Sequence, residues 1–492
     1  MSGSRLTLLS ILSSAPRFAI FAPLVLLLGV VASHVRPLAS AKAPSVVAEP
    51  GSRPRQPLTR AEAVSDLQDW RRRVVAVHPE PYAHVTHEAL DAAVAATIVG
   101  LPVEISVEEF FVRVAEVAAL IGDSHTSIVA PSSRAALRMP IVVEDGSLCF
   151  ERRAGPVPAG ACIEFVGSLA ASEVLRRSRR MVSAETLAGA DRLVPNRIPL
   201  LLASLGYRDT VPLTVRLPNG ERQTATLTAE PKGPAAAEAL TVEKLEGGIF
   251  LLTLRTMVIR RPGEYSAAFA GIFAAIKRHF VRGVVIDLRD NDGGDTRVGE
   301  LLLSYITERS HRLVARKRWK VSALMQAQVR EMGVGFEAYL DAPVGGMLIT
   351  DVEVFEPIER TDRYRGPVVF LTGPKTLSAA MMTADAVSEY KLALVVGEST
   401  SSPPNYFGET YIYQLPHSGL SATISTAAFV RASGEPSDAS MVDPHVWAAT
   451  RLLDRLSGGD HGLRTAIQLI ERWNNPSGGG VALASRVSRE GV

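Results

Sequence analysis

Residues 283–294 read GVVIDLRDNDGG, and this stretch decides the fold. Gly283 to Leu288 is an apolar run of strand length. The polar loop Asp287-Leu288-Arg289-Asp290-Asn291-Asp292-Gly293-Gly294-Asp295 follows it and opens a helix. The same alternation continues on both sides. Ile249 to Leu254 reads as a strand, Tyr265 to Phe280 as a helix, and Thr296 to Thr307 as a helix. Pro367 to Leu371 is a strand, Ser378 to Tyr390 a helix, and Ala393 to Val396 a strand. Strand runs of four to six apolar residues separated by helices specify an α/β layer with a largely parallel sheet. Such sheets place ligands beyond the carboxyl ends of their strands, so the loops after Leu288 and Leu371 are where chemistry is expected.

Upstream of this core, residues 59–130 read as a helical unit. Thr59 with Glu62, and Ser106 with Glu109, have capping-box spacing, and Ile105 with Phe110 has the spacing of a hydrophobic staple. Phe110, Phe111, Val114, Val117, Ala118 and Ile121 recur at helical period, and Gly122 is a C-cap residue type. Residues 131–235 read as an inserted β-rich module with a helical stretch near 170–205 and a hairpin signal at Pro218-Asn219-Gly220. Its cluster Arg176, Arg177, Arg179 and Arg180 reads as a solvated helix face. Residues 240–470 form the α/β core, and 475–492 a frayed tail. At the other end, Arg5 and Arg17 precede the apolar run Phe18 to Ala32. Residues 1–45 therefore read as a secretory signal or a single membrane anchor, followed by a Pro-rich linker over 46–58.

The whole chain has 492 residues, 47% apolar and 21% charged. Those values are ordinary for globular domains and exclude a mostly disordered chain, a coiled coil and a polytopic membrane protein. Lys plus Arg number 53 against 51 Asp plus Glu, a formal charge of +2, which gives no sign of a nucleic-acid surface. Cys149 and Cys162 are the two cysteines. They cannot form a disulfide scaffold and lack zinc-site spacing; one bridge between neighbouring strands and two buried free thiols both stay open.

Three loops concentrate candidate chemistry. In 287–295, the glycine pair can turn backbone N–H groups toward a developing anion. In Thr372-Gly373-Pro374-Lys375-Thr376-Leu377-Ser378-Ala379-Ala380, Ser378 opens a helix after a second buried strand. It is an N-cap or a nucleophile, and the two are compatible, since the helix start and the N–H of Ala379 both favour an oxyanion. In Gly122-Asp123-Ser124-His125-Thr126, His125 is the proton acceptor for a hydroxyl nucleophile. Competing motifs are missing: no G-x-S-x-G elbow, no Walker loop and no G-x-G-x-x-G. His87-Glu88 is followed by Asp91 where a zincin needs a second His, and His78, His84 and His87 read as surface-loop histidines.

Taken together, these segments resemble the tail-specific (carboxyl-terminal processing) serine peptidase family, over about residues 59–455. Gly122 to Thr126 is similar to its GD-x-HT loop, Val285 to Gly294 to its strand plus R-x-N-x-GG loop, and Thr376 to Ala380 to its nucleophile segment. Val396 to Thr400 is similar to its VGE-x-T strand end, and Pro404-Asn405-Tyr406-Phe407-Gly408-Glu409 to the PNHFGE-type loop of its lysine-free branch. Ser425-Thr426-Ala427, Glu435-Pro436-Ser437-Asp438 and Val442-Asp443-Pro444 are similar to its C-terminal segment. The resemblance implies a ClpP/crotonase-like α/β fold, a mixed, largely parallel sheet core with residues 131–235 at the position of a PDZ-like insert. That insert shows no clear carboxylate-binding loop. The family's dyad lysine is missing: Ser401-Ser402-Pro403-Pro404 stands in its loop, and neither Lys375 nor Lys391 matches it. His445 stands where the family's last motif has Asp.

The lysine-free arrangement, similar to the tricorn core and the interphotoreceptor retinoid-binding modules, therefore fits better. It implies Ser378 as nucleophile, His125 as base and Ser124 as its assistant, with Asp438 as the orienting acid and Glu409 or Asp443 as runners-up. Gly293, Gly294 and Ala379 would form the oxyanion hole, and Asn405 and Glu409 would contact substrate. The implied activity is an exported serine endopeptidase, periplasmic, secreted or anchored facing outward, acting on a peptide or protein through an acyl-enzyme without metal or cofactor. The alternative is a non-catalytic binding module for an apolar ligand or peptide on the same fold; retention of Ser378 and His125 favours the enzyme.

Overall fold

The computed structural model describes residues 56–129, 135–137, 139–231, 238–333, 335–435 and 437–474. The signal or anchor at 1–45, nearly all of the 46–58 linker and the 475–492 tail lie outside the described residues. Among those described, no helix is long and apolar enough to cross a membrane.

The N-terminal unit contains α1 (Arg60–Val77), α2 (His87–Val99) and α3 (Val107–Ala118). Reciprocal capping boxes start two of them. Thr59 Oγ accepts from Glu62 N while Glu62 Oε2 accepts from Thr59 N at 2.8 Å, and Ser106 pairs with Glu109 in the same way. Ile105 and Phe110, the staple pair, are both buried. Burial of Phe110 and Phe111 stabilises by roughly 1.5–3 kcal/mol each. The chain leaves α3 through a short 3-10 turn and Gly122, whose φ of 69° is a left-handed stop. It then enters β1 (Ser127–Val129), which pairs with a core strand. The unit is thus built into the core. Asp66 of α1 reinforces this by accepting from His417 N and Ser418 N at 3.0 and 2.7 Å.

The inserted module holds β2 (Ile141–Glu144), β3 (Ser147–Phe150), β4 (Cys162–Val166), α4 (Ala171–Arg180), α5 (Leu187–Ser204), β5 (Thr210–Arg216) and β6 (Arg222–Thr228). Its antiparallel strands are ordered β6-β5-β4-β3-β2. Cys149 and Cys162 are register partners on β3 and β4, and they form a disulfide. The helical stretch near 170–205 is two helices. The arginines of α4 are paired, Arg176 and Arg177 with Glu173 on the same helix, Arg179 with Asp191 on α5 and Arg180 with Glu116 on α3.

The core begins with β7 (Leu240–Lys244), β8 (Ile249–Leu254), α6 (Glu264–Arg278), β9 (Gly283–Asp287) and α7 (Thr296–Ser304). It continues with β10 (Arg316–Lys320), β11 (Met347–Asp351), β12 (Val368–Thr372), α8 (Ala379–Glu389) and β13 (Leu394–Gly397), and ends with β14 (Tyr406–Gln414), β15 (Ser421–Val430), β16 (Val446–Trp447) and α9 (His461–Asn474). The main sheet runs β7-β8-β9-β12-β13-β16, parallel except for the β7 edge. Alternation along β9 sorts its two faces. Val285 packs with Val369, Leu371, Val396, Leu469 and Ile470 under α9. Val284 and Ile286 belong to the larger core with α6, α7 and α8. Gly283 is required by close approach: a Cβ there would come 2.3 Å from Ile470 Cγ2. A second, antiparallel sheet runs β11-β10-β15-β14, with β1 on β15. β15 thus carries the 122–126 loop to the core.

Candidate active site

Ser378 sits where β12 turns into α8, with φ 54° and ψ −127°. A positive φ on a serine is strained by about 1–3 kcal/mol, and the surroundings fix it in place. Leu377 N donates to Asn291 O at 3.0 Å, and Thr376 Oγ1 donates to Leu288 O at 2.8 Å. The Ser378 loop is thereby stitched to the glycine loop after β9. The Ser378 side chain makes no capping bond. Its described contact is the Tyr406 hydroxyl, at 3.5 Å. Burial pushes the pKa of that hydroxyl up, so it stays protonated.

The glycine pair lies against the serine. A Cβ on Gly293 (φ 93°) would meet Ser378 Cβ at 2.7 Å and Ala379 N at 2.9 Å; on Gly294 (φ 141°) it would meet the Met257 backbone at 2.2 Å. The Gly293 amide donates to Asn291 Oδ1 at 2.8 Å, so it is occupied. The amides of Gly294 and Ala379 enter no hydrogen bond among the described residues.

His125 is held by its own loop, whose hub is the fully buried Asp123. Asp123 Oδ1 accepts from His125 N at 2.9 Å. Its Oδ2 accepts from Thr126 Oγ1 at 2.6 Å and Ser425 Oγ at 2.5 Å, and lies 3.3 Å from His78 Nε2. Nδ1 of His78 accepts from Glu80 N at 3.1 Å, so Nε2 carries the proton and donates to Asp123. His78 is buried, which corrects its reading as a surface-loop histidine; Asp123 and the ring of Phe407, at 4.7 Å, lie against it. Burial pushes the Asp123 carboxyl up. The bond and charge of His78, the charge of His125 and the Ser425 hydroxyl outweigh this and hold it below the ordinary range.

The His125 ring is turned with Nδ1 toward Ser124 Oγ, 3.4 Å away, and 3.9 Å from Asp123 Oδ1. Burial is the largest cause lowering its pKa; Arg192 adds to it and the Asp123 charge opposes it. The ring is therefore neutral near pH 7, as a base must be. Behind Ser124 stands Glu185, which sequence reasoning missed. Glu185 Oε1 accepts from Ser124 Oγ at 3.0 Å and Ser124 N at 3.2 Å, and Oε2 accepts from Ser402 Oγ at 3.2 Å. Burial, then the Asp123 charge, raises the Glu185 pKa to about 7. Tyr406, also missed as a site residue, faces both centres, its ring 5.7 Å from that of His125.

The structure does not bring the expected acids to His125: none of the three bonds it among the described residues. Asp438 is exposed. Glu409 binds Trp319 Nε1 at 2.7 Å and Lys317 Nζ at 3.4 Å. Asp443 accepts from Ser399 Oγ. Asn405 ties two chain segments, accepting from Arg431 N at 2.8 Å and donating to Ser437 O at 3.4 Å. His445 Nδ1 accepts from Val395 N at 2.9 Å, a purely local contact. Lys375 pairs with Asp290 at 3.1 Å. For a metal, Asp123, His125 and Glu185 offer ligand atoms within 4.8 Å of one another. The facing oxygens of Asp123 and Glu185 already accept from the hydroxyls and amides above, and His125 Nδ1 faces Ser124 Oγ.

Comparison with known proteins places the core. Residues 251–447 match the family model described as Peptidase family S41. Mature CPAF superposes with a TM-score of 0.64 at 16% identity, covering 85% of this chain and 99% of its own. Mature CPAF complexed with lactacystin gives a TM-score of 0.57 at 16% identity, covering 84% and 98%. These likenesses show the fold. No curated protein matches the chain.

Proposed function

Through its core this chain belongs to peptidase family S41, the tail-specific serine peptidases, and from that premise we propose that it cleaves peptide bonds with Ser378 as nucleophile and His125 as base. Ser378 Oγ attacks the carbonyl carbon while His125 Nε2 takes its proton. The tetrahedral oxyanion is held by the N–H groups of Ala379 and Gly294, which have no other described partner. His125 then gives its proton to the leaving amine, and the acyl group stays on Ser378. Water, deprotonated by the same imidazole, releases it. The observation that carries this reading is the backbone of Ser378: a positive φ at a helix start, without a capping bond, beside a glycine that any Cβ would push into it.

Export fits the same picture. The Cys149–Cys162 disulfide belongs to an oxidising compartment, and the apolar run Phe18 to Ala32 follows two arginines. The test of the activity is cleavage of an unstructured polypeptide by the purified chain. Ser378→Ala and His125→Ala should each abolish it, and cleavage that persists in Ser378→Ala overturns the assignment.

A further inference from the structure

We propose that Glu185, carried by the inserted module, is the positioning carboxylate that orients His125 through Ser124; this rests on the Ser378–His125 reading above. Glu185 lies in the break between α4 and α5, just before Thr186, which caps α5. The break is wedged between two loops of the core. Ser183 Oγ accepts from Asp123 N at 2.9 Å, and Thr186 Oγ1 donates to Ser401 O at 2.6 Å. A Cβ on Gly189 would come 2.9 Å from that same Ser401 O. These contacts fix the backbone on both sides of Glu185 against the loops that carry Ser124 and Ser402.

The hydroxyl of Ser124 has one proton and free lone pairs. It donates to Glu185 Oε1 and is placed to accept from His125 Nδ1–H. That order fixes the ring tautomer and leaves Nε2 for the serine. When Nε2 gains the Ser378 proton, the imidazolium charge is balanced by the Glu185 carboxylate one hydroxyl away; no proton leaves Nδ1 and no other group changes charge. Asp123 cannot serve instead. Its nearer oxygen is 3.9 Å from Nδ1 and already binds the His125 amide, so it shapes the loop.

The charged and titratable groups facing Glu185 are Asp123 and His125 on the loop, Arg192 on α5 and Tyr406 on β14. Behind them stand His78 on Asp123 and Asp292 on Arg192. With Glu185 raised to about 7 and His125 lowered, the carboxylate sets the acid limb of activity. Activity rises as Glu185 loses its proton.

The experiment measures the rate of fluorophosphonate labelling of the full chain from pH 5 to 9, together with the thermal midpoint. The proteins are wild type, Glu185→Gln, Glu185→Asp and Asp438→Asn, with Ser378→Ala as the blank. Glu185→Gln should label about 10²–10⁴-fold more slowly at pH 8, with its acid limb moved to lower pH. Glu185→Asp should recover part of the rate and keep a limb near neutrality, and Asp438→Asn should behave as wild type. A Glu185→Gln protein that labels at the wild-type rate with an unmoved limb overturns the role of Glu185 alone. So does a loss in both variants that follows the thermal midpoint and is the same at every pH. A wild type that does not label overturns the Ser378 reading, and this one with it.

Discussion

The hydroxyl of Tyr406 lies 3.5 Å from Ser378 Oγ, and the same ring leans on His125 at 5.7 Å between centroids. One side chain thus lines the space between His125 and Ser378, which share no direct hydrogen bond among the described residues. Catalytic pairs are often this loose without substrate. Tyr406→Phe keeps the stacking on Phe429 (centroids 5.2 Å apart) and removes a neutral bond worth about 0.5–1.5 kcal/mol. Its kcat/KM should fall by no more than about tenfold. A loss matching that of Ser378→Ala would make the hydroxyl part of the chemistry.

Gly293→Ala sets a sharper demand. The added methyl would meet Ser378 Cβ at 2.7 Å and Leu377 O at 2.7 Å, on a backbone with φ 93°. The methyl must push aside both Ser378 and the Ala379 amide, so labelling of Ser378 should drop at least ~100-fold, as when an oxyanion donor is lost, with a lowered thermal midpoint. Retained labelling would mean the glycine loop stands off from the serine.

Asp123 ties stability to pH. Its folded pKa lies below the ordinary value, so the unfolded chain binds the extra proton first. The stabilisation is complete above the unfolded value of about 3.9 and is lost as pH falls through the folded one. Wild type should therefore lose urea resistance below about pH 4 more steeply than Asp123→Asn. The substitution itself should cost about 3 kcal/mol or more at pH 7, read from the denaturation midpoint. Equal pH profiles would contradict the hub role.

The disulfide offers a separate handle. Cys149 and Cys162 are 13 residues apart, a loop for which a crosslink stabilises by about 3 kcal/mol. Reduction, or Cys149→Ser with Cys162→Ser, should lower the stability of the inserted module by that order in chemical denaturation. No change would show that the bridge is incidental to the module.

Much of this was legible in the chain. Gly283 to Leu288 is apolar on both faces because helices cover both, and that period forces a parallel core strand. Ser378 and His125 are legible as candidates because their loops end buried elements. Glu185 is not, because it falls inside the stretch near 170–205 that reads as one helical segment, whereas Thr186 caps a second helix there. Its approach to Ser124 depends on tertiary docking of the module, which leaves no local period. Asp438 is a different case: the structure leaves it exposed and not bonded to His125 among the described residues. Motif order places a residue along the chain but says nothing of where its side chain points. His78 was misjudged because its burial comes from contacts distant in sequence, above all Asp123 and the ring of Phe407 at 4.7 Å.

The most direct measurement is a peptide map of the intact chain after reaction with a fluorophosphonate. A single adduct on the peptide bearing Ser378 is predicted, missing in Ser378→Ala and slowed by about 10³-fold or more in His125→Ala. No adduct on an otherwise folded protein, or an adduct on another residue that survives Ser378→Ala, would contradict the account.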